Sequence, residues 1–473
     1  MQPSHFSTEE PRCHNGCLAA IRLLIIHVAV LRALLGFVPP ALLGVLCLYL
    51  TGLITGTEVS ATAISQALGG VSHDAVTRFL GGGWWTARQL LLAAVRVVSW
   101  LGDGGWLIVD DVLIPKPYAR LIAFCGWDFD HALRRNVFGL RLVFVVWCNG
   151  GLTVPLGFSV WQKDPARKPR PKRKRAKRGR PRKRGPKVRR HTCRARTQRV
   201  RRRAWQQAAR RVRPRTATGT PYHTKNALAR ALVWRVVRAG IRVQFLLFDN
   251  WYASRHNLRG FARLHLAWVT RLKSNTRVRY QGRTLSVKQV AATVVTANYH
   301  YYAPLGARAR SFAVEWLGKP IKLTVVKHDS HPERDRTKYL ATSELSLSTA
   351  AHVQWYRRRW PVEVFFRDAK QLLGLGRSQA RQPQAVLTHL MLVCMAYVGL
   401  QLLKPLRPHP QLSVSQSKKA LLPLRLLVSA KGVADLVRLK PTGQFEPVEM
   451  EELWKPLRTR LGGLELPEHL GVP

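Results

Sequence analysis

The spacing of apolar side chains changes several times along the chain, and each change marks an element. Residues 18–56 read as helical. Stretches 60–68 and 72–80 form two short helical patterns across Gly69-Gly70, and Gly81-Gly82-Gly83 ends the second, because glycine terminates helices at little steric cost. From Trp106 the texture turns to short β-branched and aromatic runs at 106–109, 141–148 and 153–161, the last two joined at Asn149-Gly150-Gly151. This predicts three strands, two of them in a hairpin. Helical spacing returns at 226–238 (Leu228, Leu232, Val236), and a near-continuous apolar run at 241–248 predicts a buried strand. A helix at 255–264, a strand at 267–272, a turn-rich β region over 275–335, a strand at 339–342 and helices from 348 onward complete the series. Three strands followed by alternating helices and strands predict a mixed α/β sheet, with helical regions before and after it.

Stretch 33–54 is uncharged over 22 residues, enough to cross a bilayer, for which about 20 suffice. Pro39-Pro40 interrupts it, and Arg22, His27 and Arg32 recur through the apolar run before it. Two buried helices broken at the prolines fit better than a membrane span, and no membrane partner is expected. The first twelve residues carry Glu9 and Glu10 and do not resemble the basic start of a signal peptide.

Composition narrows the function. The 473 residues include 78 Lys+Arg against 25 Asp+Glu, a net charge of +53, with 46% hydrophobic residues. The chain is too long for one average domain of about 100–200 residues and too apolar for a disordered tail. Segment 163–215 holds 27 Lys/Arg and one acid, Asp164, so it supplies +26 and the remainder still carries +27. A neutral protein with one basic tail is excluded, and a polyanion, above all nucleic acid, is the expected partner. The basic segment cannot bury a core and should be disordered without its partner. DNA clamping through counterion release and a solubilising spacer both fit it; its length and sign favour DNA.

Seven scattered cysteines (13, 17, 47, 125, 148, 193, 394) with no secretory signal predict reduced thiols. Cys13 and Cys17, with His5 and His14 nearby, lack a second Cys/His pair at zinc-ligand spacing. The two glycine-linked helices resemble a helix-turn-helix that would present His73, Asp74, Thr77 and Arg78 on its second helix, the one that enters the major groove in such motifs. An ordinary helical hairpin has the same pattern.

Asp110-Asp111 and Asp249 each end an apolar strand, where side chains leave the sheet and can converge in a crevice. Two carboxylates there make a hard-oxygen site for Mg²⁺ or Mn²⁺, although a lone strand-terminal Asp is commonly a turn or cap residue. Tyr356, Arg359, Glu363 and Lys370, at offsets 0, 3, 7 and 14, would lie on one stripe of a helix. Pro361 would start or kink that helix and displace Tyr356 from the stripe.

Tyr356-x2-Arg359-x3-Glu363-x6-Lys370 resembles the Tyr-Arg-Glu-Lys signature of DDE transposases from bacterial insertion sequences, in the insertion-sequence-four-like group. Val109-Asp-Asp111-Val and Phe248-Asp249-Asn-Trp-Tyr252 look like that family's aspartate motifs, and the likeness covers roughly 105–380 in order. The resemblance implies an RNase H-like core, 101–273 with 336–385, interrupted by the basic insertion at 162–215 and by a small β insertion at 274–335. A helical N-terminal DNA-binding region (1–100) and a helical C-terminal region (386–473) would flank it. It implies a catalytic, metal-binding triad of Asp111, Asp249 and Glu363. Asp111 is chosen over Asp110 because the family's aspartate usually precedes a Thr-like position, here Val112. Tyr356, Arg359 and Lys370 would contact DNA phosphates, with His73, Thr77 and Arg78 as further DNA-binding residues. Two Mg²⁺ ions (Mn²⁺ substituting), about 3.5–4 Å apart, would activate water or a 3′-hydroxyl for in-line attack on phosphorus.

The expected function is cut-and-paste transposition: cleavage at element ends and strand transfer, by a homodimer or higher oligomer on double-stranded DNA in the cytoplasm of a prokaryote, at the nucleoid. A structure-selective nuclease with the same core, and a non-catalytic DNA-binding protein derived from a transposase, are the alternatives. The apolar stretch 387–403 suits either core or a dimer face.

Overall fold

The structure is a computed structural model. It describes residues 39–402 apart from 57–59, 69–70, 84–85, 103, 120, 165–221, 296–297 and 328–336, together with Val414. The Cys13/Cys17 pair, Cys193, nearly all of the basic insertion and most of the C-terminal region lie outside the described residues.

Four helices precede the sheet: α1 (Leu43–Thr55), α2 (Ala61–Leu68), α3 (His73–Gly81) and α4 (Ala87–Trp100). Helix α1 follows a short 3-10 turn at Pro40–Leu42, so the prolines stand before the helix and not inside it. Ser72 caps α3 by accepting from the Ala75 amide at 3.2 Å, and Thr86 with Gln89 forms a reciprocal capping box on α4.

Twelve strands form one mixed sheet. The first four are β1 (Trp106–Pro115), β2 (Gly126–Asp130), β3 (Arg135–Asn149) and β4 (Leu152–Trp161). Helix α5 (Lys225–Arg238) leads to β5 (Phe245–Phe248), and α6 (Arg255–Arg263) to β6 (Trp268–Leu272). Strands β1 and β4 run antiparallel to β3, whereas β5 pairs parallel with β1 and β6 parallel with β5. This is the mixed α/β sheet that the sequence predicts.

The expected insertion supplies β7 (Arg277–Tyr280), β8 (Arg283–Ser286), α7 (Val287–Ala292), β9 (His300–Tyr302), β10 (Ala307–Trp316) and β11 (Lys319–Lys327). Its strands extend the same sheet instead of forming a separate one. The β10–β11 hairpin joins β12 (Lys338–Thr342), which pairs with β6. Continuing the ladder satisfies backbone groups that a free β6 edge would leave open.

Helices cover both faces of the β1–β3–β4 region. Leu91 of α4 and Leu232 and Val236 of α5 meet Val145 and Leu156 on one face. On the other, Phe144 stacks against Phe365 and Phe366 of α9 (Pro361–Gln371), the helix that follows α8 (Thr349–Arg357). The alternation of Phe144 and Val145 follows from the two-residue repeat of a strand. Phe365 also meets Tyr397 of α10 (Pro383–Leu402).

Helix α10 is long and apolar enough to cross a membrane, yet almost all of it is buried inside the protein. It packs on α1, α3, α4 and β4. Its His389 donates from Nε2 to the Gly374 carbonyl at 3.0 Å and accepts at Nδ1 from the Tyr49 hydroxyl of α1 at 2.8 Å. Residues 387–402 are therefore core. Among the described residues Cys47, Cys125, Cys148 and Cys394 form no disulfide.

Candidate active site

Strand β1 carries its two aspartates to opposite faces. Asp110 pairs across β3 with Phe144 and shares the face covered by α9; Asp111 pairs with Val143 and faces α5. The bonds each makes follow this split.

On the α9 face, Arg359 is the hub. Its Nη1 donates to Asp110 Oδ2 at 2.5 Å and its Nη2 donates to Glu363 Oε1. It also hydrogen-bonds Tyr356, and the charge of Asp249 reaches Arg359, Tyr356 and Asp110. Asp249 stands directly after β5, whose Phe248 pairs with Val109, so it sits level with Asp110 on the neighbouring strand. It precedes a 3-10 turn (Asn250–Tyr252) without capping it through its side chain. Burial pushes the Asp110 carboxyl up to about 7, with the charges of Asp111 and Asp249 adding to the rise and Arg359 opposing it.

The helix read as one continuous stripe is two. Pro361 begins α9, and residues 358–360 form a turn after α8, so Tyr356 and Glu363 belong to different helices with Arg359 between them. A proline at the first helical position loses nothing by lacking an amide hydrogen. Trp106 of β1 holds this turn: its Nε1 donates to the Arg358 carbonyl at 3.0 Å, and the Arg358 guanidinium lies over Trp355 and Trp106. Glu363 falls in the first turn of α9, where the helix dipole favours a carboxylate. Lys370 lies near the other end of the helix, within reach of Asp130 and Arg141; burial lowers its pKa against the pull of Asp130.

Asp111 belongs to a different network. Its Oδ2 accepts from Arg141 Nη1 at 2.6 Å and Lys225 Nζ at 3.0 Å, and its Oδ1 accepts from the Tyr252 hydroxyl at 2.8 Å. Burial alone would raise the Asp111 pKa, but Lys225 and Arg141 outweigh it and the net shift is downward. Arg141 also binds Asp128, and the Lys225 ammonium lies between the rings of Trp161 and Trp251. Buried Asn257 completes the support, donating to the Tyr252 carbonyl at 3.0 Å and to Asn226 at 2.9 Å.

The structure thus brings Asp249, Glu363, Tyr356 and Arg359 together around Asp110, with Lys370 about two helical turns from Glu363, and sets Asp111 on the opposite face. Sequence reasoning gave no role to Arg141, Lys225, Tyr252 or Trp106. Arg141 left one signal, a charge inside what proves to be a longer strand. His73, Thr77 and Arg78 are exposed on α3, whose Val76, Phe79 and Leu80 are buried. Thr77 and Arg78 line a cleft of about 630 Å³ together with Ser378, Arg381 and Gln382, apart from the carboxylates.

Oxygen donors at Asp110, Asp249 and Glu363 suit Mg²⁺ or Mn²⁺ in kind. Among the described residues no three His, Cys, Asp or Glu side chains stand close enough to hold an ion between them. Between Asp110 and Glu363 lies the Arg359 guanidinium, a cation bonded to both. The donor set fits a divalent ion in the kind of its ligands and not in their present spacing, which Arg359 bridges.

Asp110 stands in the middle of β1, which runs on to Pro115 and does not end at the aspartates as expected, whereas Asp249 directly follows β5. Carboxylates on adjacent strands, a helix bringing a third, and a strongly basic chain mark the class of DDE nucleases and transposases. The family model described as DDE superfamily endonuclease matches residues 45–299, and that of the transposase DDE domain matches 215–398. The chain belongs to the DDE endonuclease superfamily, which includes transposases and uses divalent metals. Among solved structures it is similar to one described as a piggyBac transposase synaptic complex with hairpin DNA, at 10% identity and a TM-score of 0.37, over 100% of this chain and 80% of that one. No curated protein matches the chain.

Proposed function

We propose that this protein is an insertion-sequence transposase of the insertion-sequence-four-like group, which cleaves element ends and transfers the freed 3′ end into target DNA. The observation that carries the reading is the convergence of Asp110, Asp249 and Glu363 around Arg359. On this reading Asp110 takes the first triad position in place of Asp111, a choice supported by its sharing a face with the other two acids. Asp111 instead anchors the segment after Asp249 through Tyr252, a positioning role.

The three carboxylates would hold divalent metal, which supplies Lewis-acid activation of the attacking oxygen and charge neutralisation on the leaving one. Arg359, released from Asp110 and Glu363, binds a phosphate oxygen bidentately, and Lys370 holds a neighbouring phosphate as a point charge. Tyr356 orients Arg359. Trp106 holds the turn before α9 and α9 carries Glu363, so the reorganisation on binding is confined to the Arg359 side chain. Helix α3 contacts DNA through His73, Thr77 and Arg78, the enzyme acts as an oligomer pairing two ends, and it works at the nucleoid of a prokaryotic cytoplasm.

The test is a cleavage and strand-transfer assay with Mg²⁺ on DNA carrying the ends that flank the gene, comparing wild type with Asp110→Asn and Glu363→Gln. Metal-dependent nicks at the boundary with joined products, absent in both variants, support the proposal. Cleavage without joining gives the nuclease instead, and binding without cleavage in any metal gives the DNA-binding protein.

A further inference from the structure

Twelve large hydrophobic side chains are exposed among the described residues, and five of them lie between 118 and 133: Tyr118, Leu121, Trp127, Phe129 and Leu133. Trp127 is 63% exposed and Phe129 41%. They occupy alternate positions of β2, an edge strand of the sheet, so both project from one face. Trp127 pairs across the ladder with Phe138, whose ring it meets edge-on at 5.6 Å. Phe138 is six residues from Phe144 on β3, an even count, so this is the face that carries Asp110.

The intervening acids of β2 do not share that outer surface. Asp128 is held by Arg141, and Asp130 accepts from the amides of Ala132 and Leu133, capping the β2–β3 turn. What the hairpin offers outward is therefore aromatic rings with Arg134 and Arg135 at its turn, both exposed. Arg141 also donates to the Phe129 carbonyl at 3.2 Å while bound to Asp111. One guanidinium thus ties the hairpin rigidly to β1.

Exposed rings cost solvation, and this concentration asks for an occupant. A second copy of the chain is opposed by charge, since each carries +53 and the hairpin turn adds the exposed Arg134 and Arg135. Bases of a polyanionic strand match both features, with a π-face for the rings and phosphates for the arginines. Position agrees. Offsets of six residues for Trp127 and eight for Phe129, at about 3.3 Å each, place the rings roughly 20 and 26 Å along the sheet from Asp110, about six to eight nucleotides at about 3.4 Å each. Lys370 follows Glu363 by seven residues on α9, and its charge interacts with Asp130 of the hairpin.

We propose that the β2–β3 hairpin is a stacking platform for unpaired bases of the DNA strand leading away from the carboxylate cluster, with Trp127 and Phe129 as its rings. The inference rests on the reading of Asp110, Asp249 and Glu363 as the cleavage site, but binding tests it without cleavage.

The probe is DNA with 2-aminopurine in a single-stranded overhang of six to eight nucleotides, compared with a fully paired duplex, on the full chain without metal. Wild type should quench the overhang probe and bind overhang DNA more tightly than duplex. Trp127→Ala with Phe129→Ala should abolish the quenching and weaken overhang binding about fivefold or more, as loss of a stacked base does. Duplex binding should stay unchanged, and Trp127→Phe should restore the preference if the alanine variant folds poorly. Equal loss on both DNAs, or an unaltered preference, overturns the platform; a change of oligomeric state with unaltered DNA binding makes it a contact between copies and overturns it too. Platform binding intact in a protein that never cleaves would sink the transposase reading alone.

Discussion

The two neighbouring aspartates of β1 should respond oppositely to the same small change. Asp111→Asn removes an anion that Arg141, Lys225 and Tyr252 all address. Two half-buried cations are left without their shared partner, which costs about 3 kcal/mol, the lower end for breaking a buried pair because Arg141 keeps Asp128. Asp110→Asn removes an anion that burial disfavours. A rise from 3.8 to about 7 corresponds to an upper bound of about 4 kcal/mol at roughly 1.36 kcal/mol per unit. Solvent reaches its 18% exposed side chain, and Arg359 loses one of two carboxylate bonds. The net gain should be about 1 kcal/mol at pH 8.

The pH dependences also separate. The Asp110 pKa is raised on folding, so its favourable contribution is complete below about 4 and is lost as pH rises to about 7. The gain from Asn therefore grows between pH 4 and 7 and levels off above. Asp111 is depressed, so its contribution is present above about 4 and is lost only as pH falls further. Urea unfolding of both variants at pH 5 and pH 8 measures this. Equal destabilisation by the two substitutions, or no pH dependence for Asp110→Asn, would refute the division of roles.

Glu363→Gln keeps the shape of the side chain and should leave DNA affinity within about twofold while removing cleavage; a gel-shift beside the cleavage assay reads both. Tyr252→Phe loses one hydrogen bond to Asp111 and should cost about 1–2 kcal/mol in urea unfolding, most of it absent in an Asp111→Asn background. DNA binding should weaken steeply with salt for a chain of charge +53, and Lys370→Ala should reduce the slope of log K against log salt by about 1, as fluorescence titrations at several salt concentrations would show. Chelation by EDTA should stop cleavage and leave unfolding midpoints unchanged, because the cluster is held by Arg359 without an ion.

Local pattern was enough for much of this protein. The helices at 60–68 and 72–80, the hairpin at Gly150-Gly151, the strand before Asp249 and the prolines before α1 all follow from spacing, caps and glycine, which act within a few residues. So did the approach of Arg359 to Glu363, a four-residue separation that helical geometry brings together even across the Pro361 start.

Tertiary structure decided what depends on which strand lies beside which. Asp110 and Asp111 are equivalent by composition and apolar context, and only the register of β1 against β3 and β5 sends one to α9 and the other to α5. The same register turned Arg141 inward to hold Asp111 and Asp128 from 30 and 13 residues away. It also made α10 a core helix and joined the inserted strands to the main sheet. Side-chain direction in a strand has a period of two, so a shift of one residue reverses every assignment, and pairing between distant segments is what fixes it.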